Sequence, residues 1–355
     1  MSKLLRQTAK GVKPLILAPG FNPTRVELRT GQSSIVHFAD GRTSEASCLR
    51  CPDTPCMMLR EYETGCSSLA AFPADKTPEL CAAGAMSVRL EVGVPSIDAE
   101  RCIACGICAT RCPVGAIYLD LRAGAKVTVA SSPAFVEPSG DSHAAFKAAL
   151  AKLAAVDRTG VLAQESDALL DRTMDKMKLA RTSTGDRFPV LHARNLLVAL
   201  GQGAVMRRKG NNHMRMDLLL GPPGVAKGVA EVEFGQSAVL DAPRDLLDAL
   251  AIMMSRYEWP VREVVPIIIT DELPNKRSEY WEIVKDIREV IGVRIGTITT
   301  LALHLSLWNR TTMSSFELFH IDKDSDSYRS VVLEKLLGRP LTLGAKQKSW
   351  IEIAK

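Results

Sequence analysis

The sequence predicts two domains of different class: a small cysteine-rich α+β domain, then an α/β domain built on a mixed central sheet. Three observations predict it. All nine cysteines fall between Cys48 and Cys112. Beyond about residue 180, helical and strand-like hydrophobic periods alternate. Between these regions, AGAKVTVASSPAFVEPSGDS carries the small residues, prolines and glycines of a linker. The border is therefore expected near residue 130, giving domains of 1–130 and 131–355. With 46% hydrophobic and 24% charged residues, the composition is that of folded globular domains and excludes wholesale disorder.

Residues 1–47 read as short strands and turns, since KPLILAPG, TRVELRTG and SSIVHFADG each end in a glycine-containing turn signal. After the linker a helix is expected from Asp141 or Ser142, with Phe146, Leu150 and Leu153 on one face. A second helix is expected from Ala163 to about Ala180. No apolar run approaches the ~20 residues of a membrane helix. The N-terminal MSKLLRQTAKGVKPL is basic but lacks the apolar core of a secretory signal. The expected address is the cytoplasm, with no membrane partner. In that reducing compartment, crowded cysteines read as metal or cluster ligands rather than disulfides.

The sharpest motif is CIACGICATRCPVGAI, with Cys102, Cys105, Cys108, Cys112 and Pro113 in the pattern C-x2-C-x2-C-x3-C-P. Three thiolates on one tight loop reach different irons of a cubane, and the fourth, before proline, turns towards a second cluster. Gly106 lets the backbone pass close by. A weaker copy lies upstream. Cys81-AAGAMSV aligns with Cys112-PVGAIYL, and Cys48, Cys51 and Cys56 supply three closely spaced thiols ahead of it. The 24 residues between Cys56 and Cys81 replace the usual three, so an insertion splits this half.

This region, about residues 38 to 120, resembles the dicluster 2[4Fe-4S] bacterial-type ferredoxin domain. The resemblance implies a ferredoxin-like fold and two [4Fe-4S] clusters. Its pseudo-twofold logic gives one cluster to Cys48, Cys51, Cys56 and Cys112, and the other to Cys102, Cys105, Cys108 and Cys81. Cys66 is left over, as a spare, a replacement for Cys56 or a structural thiol.

The charge is uneven. Between Arg172 and Arg215 ten basic residues face two acids, so this stretch carries +8 and the rest of the chain −3 of the formal +5. Such a stripe is either a solvated face or a footprint for a polyanion. Within and after it, helix His192–Leu200, strands Ala204–Lys209, Met214–Leu220 and Val229–Phe234, helix Ala242–Tyr257 and the strand VVPIIIT come in order. Asp217 is expected within one strand. Glu231 and Glu233, two apart, share one face of the next. Carboxylates from adjacent strands can hold Mg²⁺, which polarises a phosphodiester and activates water.

Over about residues 188–300 this arrangement resembles the PD-(D/E)xK restriction-endonuclease superfamily. The resemblance implies an endonuclease-like core with Asp217, Glu231 and Glu233 at the catalytic positions, Asp217 and Glu231 being the metal ligands. Met216 stands where proline is usual, and Glu233 where lysine is usual. Lys227 shares the strand parity but lies too far along to substitute. Three ordinary acids on a hairpin are the competing reading.

A rival is LLLGPPGVAKG with IIITDE, which looks like a Walker A loop and Walker B strand. Ala226 and Gly228 replace the glycine and hydroxyl residue that flank the lysine. The residues after Lys227 read as a strand, whereas a phosphate loop opens a helix. His213 and His304 are most simply surface or core histidines, and Leu301–Trp308 is a helix packing on the sheet. The expectation is an iron–sulfur protein that binds DNA through Arg207, Arg208, Lys209 and Arg215 and cuts it with Mg²⁺, in a role suited to restriction or defence. The alternative is a ferredoxin-type electron-transfer subunit with a C-terminal docking domain. A homodimer and a redox partner are compatible with either.

Overall fold

The computed structural model describes residues 22–51, 53–60, 74–89, 94–129, 148, 150–210, 214–221, 228–313, 319–320, 332–348 and 350–353. The strand expected at KPLILAPG, the start of the helix at Asp141–Phe146, and Cys66, His213 and Lys227 lie outside these residues. The chain divides into two compact units, one of Met1–Met58 with Gly84–Gln164, the other of Leu59–Ala83 with Glu165–Lys355. The border expected near residue 130 is thus displaced. The first unit continues to Gln164, because a late strand returns to its sheet. The insertion between Cys56 and Cys81 folds almost entirely with the second unit.

In the first unit, β1 (Pro23–Arg29), β2 (Gln32–Phe38) and β3 (Thr43–Glu45) form an antiparallel meander. Val26 and Val36 pair across β1 and β2 and are both buried, as alternation in these strands requires. Two hairpins come next, β4 (Met86–Arg89) with β5 (Val94–Ile97), and β6 (Ile117–Asp120) with β7 (Gly124–Val127). The short helix α1 (Ile107–Arg111) lies between them in sequence. The returning strand β8 (Asp157–Thr159) pairs parallel to β1, giving the order β3-β2-β1-β8.

The second unit opens with α2 (Asp167–Thr184), which starts later than Ala163 because Ser166 caps it, its Oγ accepting the Leu169 N–H at 3.3 Å. Helix α3 (Arg187–Ala199), β9 (Gly203–Met206), β10 (Leu218–Gly221), β11 (Gly228–Glu233), α4 (Gln236–Tyr257) and β12 (Val265–Thr270) come in the expected order. Then come α5 (Glu279–Ile291), β13 (Gly296–Thr299) and α6 (Thr300–Trp308). The five strands lie in sequence order; β9, β10 and β11 are antiparallel, and β11, β12 and β13 parallel. The sheet is therefore mixed.

Helix α4 begins six residues before Ala242. It opens after Gly235 and runs through Pro243. Every residue of α6 is buried, and it packs on α3 and β13. Among the described residues no helix is long and apolar enough to cross a membrane.

The hairpin of β10 and β11 disposes of the Walker reading. Gly221 ends β10, and Leu220 pairs with Gly228 across an antiparallel ladder. Gly228, the residue directly after Lys227, therefore begins a strand, where a phosphate loop would open a helix. Asp271, the would-be Walker B acid, is occupied in accepting the N–H groups of Gly235 at 2.9 Å and Glu272 at 3.0 Å.

Candidate functional site

Asp217 does not lie within β10 but immediately before it, and it continues the ladder. Its N–H donates to the Ala230 carbonyl, and its own carbonyl accepts the Arg207 N–H. Its carboxyl group lies near enough to that of Glu231 to help raise the latter's pKa. The Asp217 carboxylate accepts the Val232 N–H at 3.0 Å and lies 3.8 Å from the Arg207 guanidinium. Glu231 is only 4% exposed, and its Oε1 has no hydrogen-bond partner. A buried, unpartnered carboxylate oxygen is costly and calls for a water, an ion or a chemical role.

All three carboxyl groups are pushed above the usual carboxylate range. For Glu231 burial is the main cause, reinforced by Asp217, Asp245 and Glu233. Burial also raises Asp217, against the opposing Val232 N–H and Arg207. Glu233 is pushed up to about 7 by burial and by Asp217 and Asp245, with Arg181 opposing. Asp245, on α4, is thus a fourth acid of this group and one that the sequence reading missed. The available signal was its place on the helix after the motif, four residues beyond Asp241.

Among the described residues no three His, Cys, Asp or Glu side chains form a ready-made site for a single ion.

Beside these acids lies a cleft of about 460 Å³, lined among others by Arg181, Arg187, Arg207, Lys209, Asp217 and Glu233. The basic stripe, however, is not one surface. Arg194 is buried and donates to the Thr77 and Glu79 carbonyls at 2.9 and 3.1 Å. Arg215 pairs with Asp248 at 2.7 Å. Arg187 holds Asp75 at 3.0 Å, and Arg207 donates to the Met214 carbonyl at 2.7 Å. Arg208 and Lys209 are exposed. His304 is a core residue; its Nε2 lies 2.8 Å from His192 Nε2, and burial holds both rings well below the ordinary histidine range.

In the first unit the cysteine repeat is written in the backbone. Arg50 (φ 54°), between Cys48 and Cys51, and Ala104 (φ 58°), between Cys102 and Cys105, are both left-handed, and the residues before them, Leu49 and Ile103, are both buried. Gly84 (φ 60°) and Gly115 (φ 69°) stand three residues after Cys81 and Cys112. A Cβ on Gly115 would overlap Ser34, and one on Gly84 would meet Arg101 at 2.8 Å, so glycine is needed at both. Each glycine leads into a hairpin closed in the same way, Asp98 N–H to Ala85 O and Thr128 N–H to Ala116 O.

Cys48, Cys51, Cys56 and Cys112 lie near one another. Burial pushes the Cys48 thiol up to about 11 and that of Cys56 up to about 12, and nearby Cys112 raises both further. Cys51 is raised higher still by burial and then by Cys112, Cys48 and Cys56. Arg111 secures the arrangement by donating from α1 to the Pro55 carbonyl at 2.7 Å and the Met58 carbonyl at 3.2 Å. Arg158 holds the end of α1, donating to the carbonyls of Thr110, Cys112 and Pro113. Backbone N–H groups of Arg50, Ala116 and Ala125 point at the sulfurs of Cys48, Cys112 and Cys102, at 3.4, 3.2 and 3.2 Å. Mutually repelling thiols ringed by N–H donors suit ligation of a cluster, which takes them as thiolates.

The family described as 4Fe-4S binding domain matches residues 95–118, the stretch that holds Cys102, Cys105, Cys108 and Cys112. The chain carries a ferredoxin-type iron–sulfur domain. An uncharacterized ferredoxin of Methanocaldococcus jannaschii is 33% identical to it over 99 residues, 26% of this chain and 50% of the relative. The chain thus spans half the length of that relative. No solved structure matches. Within the ferredoxin-type domain, α1 carries Cys108 and is capped by Cys112, so the strongest motif and its first helix coincide.

Proposed function

We propose that this is an iron–sulfur protein whose second unit binds a divalent cation at Asp217 and Glu231 and hydrolyses phosphodiester bonds of DNA. The observation that carries the reading is the unpartnered, buried oxygen of Glu231 near Asp217, beside a cleft with arginines in its wall. A bound Mg²⁺ would polarise the phosphodiester and lower the pKa of a coordinated water. Asp217 and Glu231 would hold it. Glu233, more exposed and titrating near neutrality, would bind a water or a second ion. Arg207 and Lys209 would meet phosphates at the cleft, and Arg208 and Arg215 outside it. The test is cleavage of plasmid and linear DNA by anaerobically purified protein with Mg²⁺ or Mn²⁺.

The ferredoxin relative favours a second reading, in which the clusters carry electrons to a partner and the second unit docks that partner. Salt dependence separates the two cheaply. If the stripe contacts phosphates, replacing Arg207, Arg208 and Lys209 by alanine flattens the log–log salt slope of DNA binding by up to about three counterions. An unchanged slope in folded protein would return these residues to the solvated surface.

For the clusters, the reading adopts both ligand sets, with Cys81 completing Cys102, Cys105 and Cys108. Anaerobic protein is then expected to contain about eight iron and eight acid-labile sulfide per chain. Stoichiometric zinc without sulfide would refute cluster binding, and four iron would mean that only one half-motif assembles.

A further inference from the structure

The lysine expected beside the carboxylates is absent, and Glu233 stands in its place. The chain nevertheless brings a cation there from a distant element. Arg181 projects from the last turn of α2 into the wall of the cleft that also holds Asp217 and Glu233. Its guanidinium lies over Gly235, where an added Cβ would come within 2.9 Å of Nη1. Gly235, at φ 96°, therefore leaves room for the group as well as turning the chain from β11 into α4.

Arg181 also differs from its neighbours in being uncommitted. Arg187 is held by Asp75, and Arg207 by Met214 and Asp217. Among the described residues Arg181 makes no hydrogen bond or close ion pair, although it is near enough to Glu233 to oppose that group's rise in pKa.

We infer that Arg181 binds a non-bridging phosphate oxygen of the ligand in this cleft. The inference rests on the hydrolytic function proposed for the same site. In that reaction a water oxygen bonds to phosphorus, the ester P–O bond breaks, and the water's proton is lost as the leaving oxygen gains one. Negative charge grows meanwhile on the non-bridging oxygens. A planar guanidinium offers two parallel N–H donors to them, which a lysine cannot.

The test uses full-length, iron-replete protein and a fluorescent mixed-sequence DNA duplex. Arg181→Met retains the helix and the aliphatic stem of an exposed side chain, and Lys285→Met, on the exposed face of α5, sets the baseline for loss of one charge. In Arg181→Met, cleavage is expected to fall about 100-fold, as on removal of one transition-state donor. Duplex affinity should fall by roughly 3- to 10-fold with loss of one phosphate contact. Mn²⁺ binding, followed by electron paramagnetic resonance, should stay at the wild-type level. Arg181→Lys should recover part of the affinity.

An Arg181→Met protein that binds the duplex as tightly as Lys285→Met overturns the inference. A wild type that binds Mn²⁺ and duplex yet leaves the DNA intact overturns the hydrolytic reading instead. The affinity of Arg181→Met for the duplex then still decides whether Arg181 holds a phosphate.

Discussion

Glu231→Gln is expected to end Mg²⁺-dependent DNA cleavage while making the metal-free protein more stable at neutral pH. The two effects have one origin. A buried carboxylate among Asp217, Glu233 and Asp245 is costly without a cation, and its folded-state pKa is raised above the usual value of 4.5. Between that value and the raised one, the folded protein binds more protons than the unfolded chain. Stability therefore falls as pH rises through this window and is fully retained only below about pH 4.5. The amide carries no charge and escapes the cost of ionisation. The ionisation cost removed is about 1.4 kcal/mol for each pH unit between 4.5 and the working pH, up to the raised pKa, or on the order of several degrees in Tm for a unit of this size. Mn²⁺ should raise the wild-type Tm more at pH 8 than at pH 5 and leave Glu231→Gln almost unmoved. Calorimetry at both pH values checks this; a Tm independent of metal in the wild type would remove Glu231 from any cation site.

Cys112→Ser is expected to cost the protein the cluster proposed for Cys48, Cys51, Cys56 and Cys112, and with it about half of its iron. Cys112 belongs to the second motif by sequence but neighbours the thiols of the first in space. A serine oxygen is a harder and poorer ligand to cluster iron than a thiolate. With Cys112 replaced, three half-buried thiols would remain without a fourth thiolate. Iron and sulfide analysis of Cys112→Ser beside Cys108→Ser checks the crossing. Retention of all the iron in Cys112→Ser would show that the fourth ligand of that cluster comes from elsewhere.

Much of this was legible because the chemistry is local. The C-x2-C-x2-C-x3-C-P run fixes its own loop, and the copy at Cys81 was visible from Gly84 and Ala85 alone. In the second unit the strands advertise themselves by apolar runs such as Pro266–Ile269, and one hairpin brings Asp217 and Glu231 close together. The expectations that failed depended on contacts distant in sequence. Leu59–Ala83 looks like an insertion in a cluster motif. It folds with the second unit because Arg194 and Asn195 bind the carbonyls of Thr77, Glu79 and Leu80, and Arg187 binds Asp75. No periodicity announces such anchors. By the same token a count of basic residues could not separate buried Arg194 or paired Arg215 from uncommitted Arg181. Asp245 escaped notice because an aspartate on a helix is ordinary until its neighbours are known.

If the second unit uses Asp217 and Glu231 to cut DNA with a divalent cation, wild type and Asp217→Ala must part company on one DNA substrate. Both proteins, iron-replete, are incubated with it in Mg²⁺, in Mn²⁺ and in chelator. Wild type is expected to cleave in metal only. Asp217→Ala is expected to cleave in none of the three, with DNA binding preserved or tightened by the loss of a negative charge. Intact DNA with wild type in both metals, or equal cleavage by Asp217→Ala, would refute the hydrolytic function.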